Sequence, residues 1–291
     1  MTGDEESLPP YLTVLQSGDP SPVYALIAPG GGSCASYVDL AQHLSTSATI
    51  VALEHPTFAS RSSYQQESKL RMKKYSVVNL GNLYARDLQH TFGGMEECVV
   101  IGASFGGIVG VETSRCLIRD GIVVKSLNLL DSPWAALSES LEGALTSRAL
   151  VANLFGNSVG NALSFSNSDL VYANAEPDDI STSLISSISA ALSEASPLER
   201  EAVEKYNWKA LVPVYVENVY ALKEFSFPAD ISLNIPAVYI RAIWSGVSSG
   251  LDHWKTVLPK LLVHEVDADH ASFYSGKYAK MVGAMILDNV V

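Results

Sequence analysis

With 291 residues, 47% of them hydrophobic and 17% charged, the chain holds enough apolar side chains for a sizeable core, which excludes a disordered polymer. Its 19 Lys and Arg against 31 Asp and Glu give a formal charge of −12, and that balance excludes the electrostatics by which proteins hold phosphate backbones. The 3 cysteines, Cys34, Cys98 and Cys116, form neither a CxxC pair nor an even framework, so reduced thiols in a cytoplasmic compartment are expected.

The opening stretch MTGDEESLPP (1–10) is acidic and lacks an apolar stretch, so it reads as a flexible segment or linker and not as a secretory signal. Short β-branched runs then recur at 11–15, 23–28, 48–53, 98–102, 124–131, 237–243 and 261–266. Most are nearly continuous apolar runs, the pattern of strands covered on both faces of a mainly parallel sheet. Helical spacing over 76–92 and 106–121 alternates with them, and 278–287 reads as a closing helix. From Ser132 to about Pro228 the alternation stops. There Ile180, Leu184, Ile188 and Leu192 recur four apart as one apolar helical stripe, and a further helix is expected to begin at or after Pro213. The reading is an α/β core over 11–131 and 229–291, with a helical lid inserted at 132–228. No run is long enough to cross a bilayer.

Within this pattern VVIGASFGGIVG places one hydroxyl between glycines at the join of a strand and a helix. A serine hydroxyl is a poor nucleophile unless a base takes its proton, a carboxylate orients that base and two donors hold the developing oxyanion. Gly102-x-Ser104-x-Gly106 fits the sharp turn that exposes such a serine, with the Phe105 N–H opening the helix behind it. A plain strand-to-helix turn carrying a capping serine is the alternative. A second glycine loop, LIAPGGGS (26–33), offers backbone donors for the oxyanion; no Lys follows its glycines, which disfavours a phosphate loop.

Among 6 histidines, His270 is best placed as base, in the loop DADHAS just beyond the last strand. A metal site built from His264, Glu265, Asp267, Asp269 and His270 is disfavoured, because strand alternation sends His264 and Glu265 to opposite faces. For the acid, Asp131 and Asp252 both follow strands and both keep the order Ser, Asp, His. The residues alone leave that choice open.

The stretches YLTVLQSGDPSPVYALIAPGGGSCASYVDLAQHL, VVIGASFGGIVGVETSRCLIRDG, LNLLDSP and LLVHEVDADHASFY together resemble the thioesterase domains that terminate fatty-acid, polyketide and nonribosomal-peptide synthases. The resemblance implies an α/β-hydrolase fold, a mainly parallel central sheet flanked by helices with a helical lid. It implies Ser104 as nucleophile, Asp131 as acid in preference to Asp252, His270 as base, and oxyanion donors at the N–H groups of Phe105 and Gly30. Ala103 departs from the His or Tyr usual before the serine. The implied activity is release of an acyl, polyketide or peptidyl chain from a carrier-protein phosphopantetheine thioester, by hydrolysis or cyclisation, with no bound cofactor or metal. A free-standing editing thioesterase, a carboxylesterase and a non-catalytic binding protein on the same scaffold are the competing readings. Arg61, Lys69, Arg71, Lys73 and Lys74 gather basic charge in an acidic chain, and Arg71, Lys73 and Lys74 form a candidate docking patch for an acidic carrier protein. A solvated loop or helix face is the alternative.

Overall fold

The computed structural model describes residues 8–44, 47–63, 74–134, 145–165, 176–245 and 250–290. Seven strands form one sheet: β1 (Leu12–Gln16), β2 (Asp19–Ile27), β3 (Ala48–Leu53), β4 (Glu97–Ala103), β5 (Val123–Leu130), β6 (Ala237–Ala242) and β7 (Leu261–Val266). Their order is β1-β3-β2-β4-β5-β6-β7; β1 runs antiparallel to β3 and every other pair is parallel. The helices described between β2 and β5 are α1 (Val38–Ala41), α2 (Pro56–Ser63), α3 (Val77–Thr91) and α4 (Phe105–Arg119).

Strand alternation divides the core into two layers. Val23, Ala25 and Ile27 of β2 pack on one face with Leu80 and Leu88 of α3 and Ile108 of α4. Tyr24 and Leu26 point to the other, toward Leu40 of α1 and Val282 and Ile286 of the closing helix. All six residues of β3 are buried, as its unbroken run ATIVAL requires. β7 lies at the sheet edge, and there the apolar run misleads: Leu262 is 53% exposed.

Between β5 and β6 the described elements are helical: α5 (Ser147–Phe155), α6 (Asn157–Ala162), α7 (Pro177–Glu194), α8 (Pro197–Glu204) and α9 (Trp208–Lys223). One expectation changes here. Helix α9 begins at Trp208 and contains Pro213. The ring forgoes one backbone bond, but Val212, Val214 and Val216 around it are all fully buried, and that packing outweighs the helix-breaking preference. The stripe Ile180, Leu184, Ile188 and Leu192 on α7 packs inside the helical layer, against Leu150, Val151, Val212 and Val216. It therefore shields no ligand space. After β6 come α10 (Leu251–Val257), β7 and α11 (Ala279–Leu287). No helix among the described residues is long and apolar enough to cross a membrane. Arg71 and Lys73 of the basic patch lie outside the described residues, while Lys74 is exposed just ahead of α3.

His55, at the end of β3, is 2% exposed. Its Nδ1 accepts from the Thr57 N–H at 3.2 Å, and its Nε2 is buried without a partner among the described residues. Burial disfavours the imidazolium and pushes the pKa down from 6.5 to about 3. Between those values the unfolded chain binds a proton that the native one refuses, so the stabilisation is full above pH 6.5 and is lost as pH falls toward 3. His55→Leu should lose about 2 kcal/mol less stability than the parent between about pH 7.5 and pH 5 in urea melts; parallel losses would refute a neutral buried ring.

Candidate active site

The sheet places three side chains at its carboxyl edge, where parallel strands of an open α/β sheet end. Ser104 joins β4 directly to α4 with φ 52° and ψ −123°. This backbone conformation is costly for a residue with a Cβ and turns the side chain out of the sheet. The turn needs room behind it, since a Cβ on Gly106 would stand 2.4 Å from the Ile27 carbonyl oxygen. The Ser104 N–H donates to Leu130 O at 2.8 Å, anchoring the turn to the neighbouring strand. Phe105 opens α4, so its N–H is among the first-turn donors that find no acceptor within a helix.

Asp131 follows β5 and is fully buried, also with positive φ at 47°. Each carboxylate oxygen has a separate partner. Oδ1 accepts from the Ala242 N–H at 3.2 Å, and Oδ2 lies 2.7 Å from His270 Nδ1. The chain on either side of the carboxylate is pinned as well. The Asp131 N–H donates to Ile240 O, and Ser132 O accepts from Tyr239 Oη at 2.8 Å and Trp254 Nε1 at 3.2 Å. His270 is 8% exposed, in a loop closed by the Asp269 carboxylate, which accepts from the Ser272 N–H at 3.0 Å and from its hydroxyl at 2.6 Å. Asp252 is exposed in the first turn of α10. Of the two carboxylates, Asp131 is the one that bonds His270 among the described residues.

Ser104 and His270 line one cavity of about 660 Å³, together with Gly30 and Phe105. No Ser104–His270 hydrogen bond forms among the described residues. The far wall comes from α5 and α9, through Ala152, Asn153, Leu211, Tyr215, Asn218 and Val219.

A residue that no sequence pattern singles out ties the two edges of the site together. Tyr37 is fully buried; its hydroxyl donates to Ile27 O at 2.8 Å and accepts from the Ala103 N–H at 2.7 Å. β2 leads into the glycine loop and β4 into Ser104. One phenol thus spans the gap where the two strands part, replacing a ladder bond with a side chain. Its signal in the sequence is only an aromatic residue after the glycine loop, in SCASY.

No protein-family model matches the chain. Over 134 residues it is 35% identical to an orsellinic acid synthase of Beauveria bassiana (strain ARSEF 2860), a match covering 44% of this chain and 6% of that protein. Over 135 residues it is 30% identical to polyketide synthase 2 of Metarhizium acridum (strain CQMa 102), covering 44% of this chain and 7% of the relative. The chain therefore matches only a small fraction of the length of either relative. Among solved structures, the Vlm2 thioesterase domain bound with a dodecadepsipeptide superposes with a TM-score of 0.66 at 16% identity, covering 96% of this chain and 97% of that one. A covalent complex of the NocB thioesterase domain with a fluorophosphonate nocardicin G analogue gives 0.59 at 16%, covering 97% and 100%. The type II thioesterase YbtT of the yersiniabactin pathway gives 0.58 at 16%, covering 96% and 98%. At these identities it is the backbone that is shared: the chain has the α/β-hydrolase fold of the thioesterase domains that serve nonribosomal-peptide and polyketide synthesis.

Proposed function

We propose that the protein is a serine thioesterase that releases an acyl chain from the phosphopantetheine thioester of a carrier protein. The observation that carries the reading is the buried Asp131–His270 pair opening on the same cavity as Ser104, itself held in a strained elbow. Ser104 Oγ attacks the thioester carbonyl while His270 Nε2 takes its proton, and Asp131 holds Nδ1 protonated. The tetrahedral oxyanion sits between the N–H groups of Phe105 and Gly30. Collapse expels the pantetheine thiolate, which takes the proton from the imidazolium, and an acyl-serine remains. Water, or a hydroxyl or amine of the chain itself, then gives its proton to His270 and attacks the acyl carbon. This frees an acid, lactone or lactam and restores the serine.

The polyketide synthases among the relatives favour a polyketide acyl group, and the hydroxylated rings of Tyr206, Tyr215 and Tyr274 on the cavity wall suit a polar unsaturated chain. An acidic carrier protein is the proposed partner, with Arg71, Lys73 and Lys74 as its docking residues. The three cysteines are buried and free, which suits a reducing, cytoplasmic-type compartment.

The test compares a pantetheine thioester with the oxygen ester of the same acyl group, alongside a fluorophosphonate. The thioester is expected to turn over at least about tenfold faster, and one phosphonate adduct should map to Ser104. A preference for the oxygen ester would make the protein a carboxylesterase. Failure to label Ser104 would return it to the non-catalytic class.

A further inference from the structure

The helix that roofs the cavity carries a polar residue where packing alone would place an apolar one. Leu211, Tyr215, Asn218, Val219 and Leu222 form the cavity-facing stripe of α9. Within it Asn218 is 2% exposed. Its Nδ2 donates to Gly30 O at 2.9 Å, across 188 residues of sequence, while its Oδ1 is buried without a partner among the described residues. Turning the amide over would set Oδ1 against the Gly30 carbonyl oxygen, so the orientation is fixed by chemistry. A buried acceptor left unpaired is a net cost, and an apolar side chain of the same shape would avoid it. What Asn218 supplies is therefore the donor.

That donor falls on the loop assigned to the oxyanion. Gly30 has no side chain by which packing could hold it, and the ring of Tyr215 already occupies the space beside it, 3.2 Å from where a Cβ would stand. The Tyr215 ring is itself held by the Asn153 amide, which donates to its hydroxyl at 2.8 Å. Two groups of α9 thus grip one glycine, the ring against its Cα and the amide on its carbonyl. Holding the carbonyl sets ψ of Gly30 and pins the Gly30–Gly31 peptide, so the backbone that carries the N–H assigned to the oxyanion is held from its C-terminal side.

We infer that Asn218 is a positioning residue for the oxyanion loop, transmitting the seating of α9 over the cavity to the Gly30 N–H. The inference rests on the thioesterase reading for its reaction and adds a specific dependence of transition-state binding on the roof helix. In the free loop glycine samples a wide range of backbone angles. Only the fraction with the N–H correctly aimed stabilises the tetrahedral intermediate, so losing the anchor should cost kcat and spare ground-state binding.

The experiment uses the full chain with Asn218→Leu, assayed on an acyl-pantetheine thioester and with a trifluoromethyl ketone of the same acyl group. This variant removes the donor and the orphan acceptor together. The expected result is a kcat lower by about 10- to 100-fold, KM within about twofold of the parent, and an unchanged or higher melting temperature for Asn218→Leu. Affinity for the ketone, whose hemiketal oxyanion needs the loop, should weaken by the same factor as kcat. Affinity for the matching secondary alcohol, which forms no oxyanion, should stay unchanged. A kcat within about threefold of the parent overturns the inference. So does a rise in KM alone, which would make Asn218 a substrate contact, or a loss of kcat with ketone affinity intact. If the parent proves to prefer oxygen esters, the thioesterase reading fails while the comparison still runs on the ester, because both reactions form the same oxyanion.

Discussion

Ser104→Ala should reduce turnover of an acyl-pantetheine thioester by about 10⁵- to 10⁶-fold, leaving the fold intact. The size follows from what one atom does. Without Oγ no acyl-enzyme forms, and the reaction must proceed by direct attack of water, aided only by the remaining oxyanion donors and by binding. Those retain roughly 10³- to 10⁴-fold acceleration over water in hydrolases of this design. Alanine carries the same Cβ as serine, so the strained φ of 52° is neither relieved nor worsened. The hydroxyl lines the cavity, so its removal leaves no buried group unpaired. Stability should therefore move by less than about 0.5 kcal/mol. Two measurements check the case: intact-mass detection of acyl-enzyme after rapid mixing, expected in the parent and absent from the variant, and a denaturant midpoint. A variant within about tenfold of the parent would place the nucleophile elsewhere.

Ser104 is legible in the amino-acid sequence because its requirements are local. A sharp turn between a buried strand and a helix needs glycine on both sides, and those residues are neighbours along the chain. His270 is legible for a related reason: it stands just past a strand end. The carboxylate is not, since Asp131 and Asp252 satisfy the same local rule. What separates them is three-dimensional, a bond between residues 139 positions apart and an exposed side chain on α10. Tyr37 and Asn218 show the same limit. Tyr37 accepts from the backbone N–H of Ala103 and Asn218 donates to the backbone carbonyl of Gly30, each on a distant element, and no spacing in the sequence encodes such a contact. The α7 stripe shows a related limit. Apolar periodicity at 180–192 correctly announces a helix with one buried face, but periodicity is silent on what covers that face. Here it is other helices of the same layer, and the cavity wall comes from α5 and α9. The start of α9 is misplaced by the same local logic, which weighs Pro213 as a stop signal, whereas the long buried run around it decides.

The second large effect is expected from Asp131→Asn, a change of one atom that should lower kcat by about 10⁴-fold with little change in KM. An amide at this site cannot choose its orientation freely. The Ala242 N–H requires an acceptor at 3.2 Å, so the carbonyl oxygen of the introduced amide must take the place of Oδ1. Its NH₂ group then faces His270 Nδ1 from the place where Oδ2 stood, 2.7 Å away. Facing a donor, Nδ1 must accept, which puts the ring proton on Nε2, the atom that has to receive the serine proton. The imidazole is thereby held in the wrong tautomer while every heavy atom stays in place. The other orientation would turn two N–H groups toward each other at Ala242 in a fully buried setting, so it offers no escape. An electrostatic role alone would predict a different pattern, with His270 losing a charge partner but keeping its tautomer. The two are separated by ¹⁵N-labelled imidazole spectra of the variant, where a protonated Nε2 and bare Nδ1 are expected at neutral pH. A protonated Nδ1 in the variant, or a kcat within about tenfold of the parent, would remove Asp131 from the role of orienting the base.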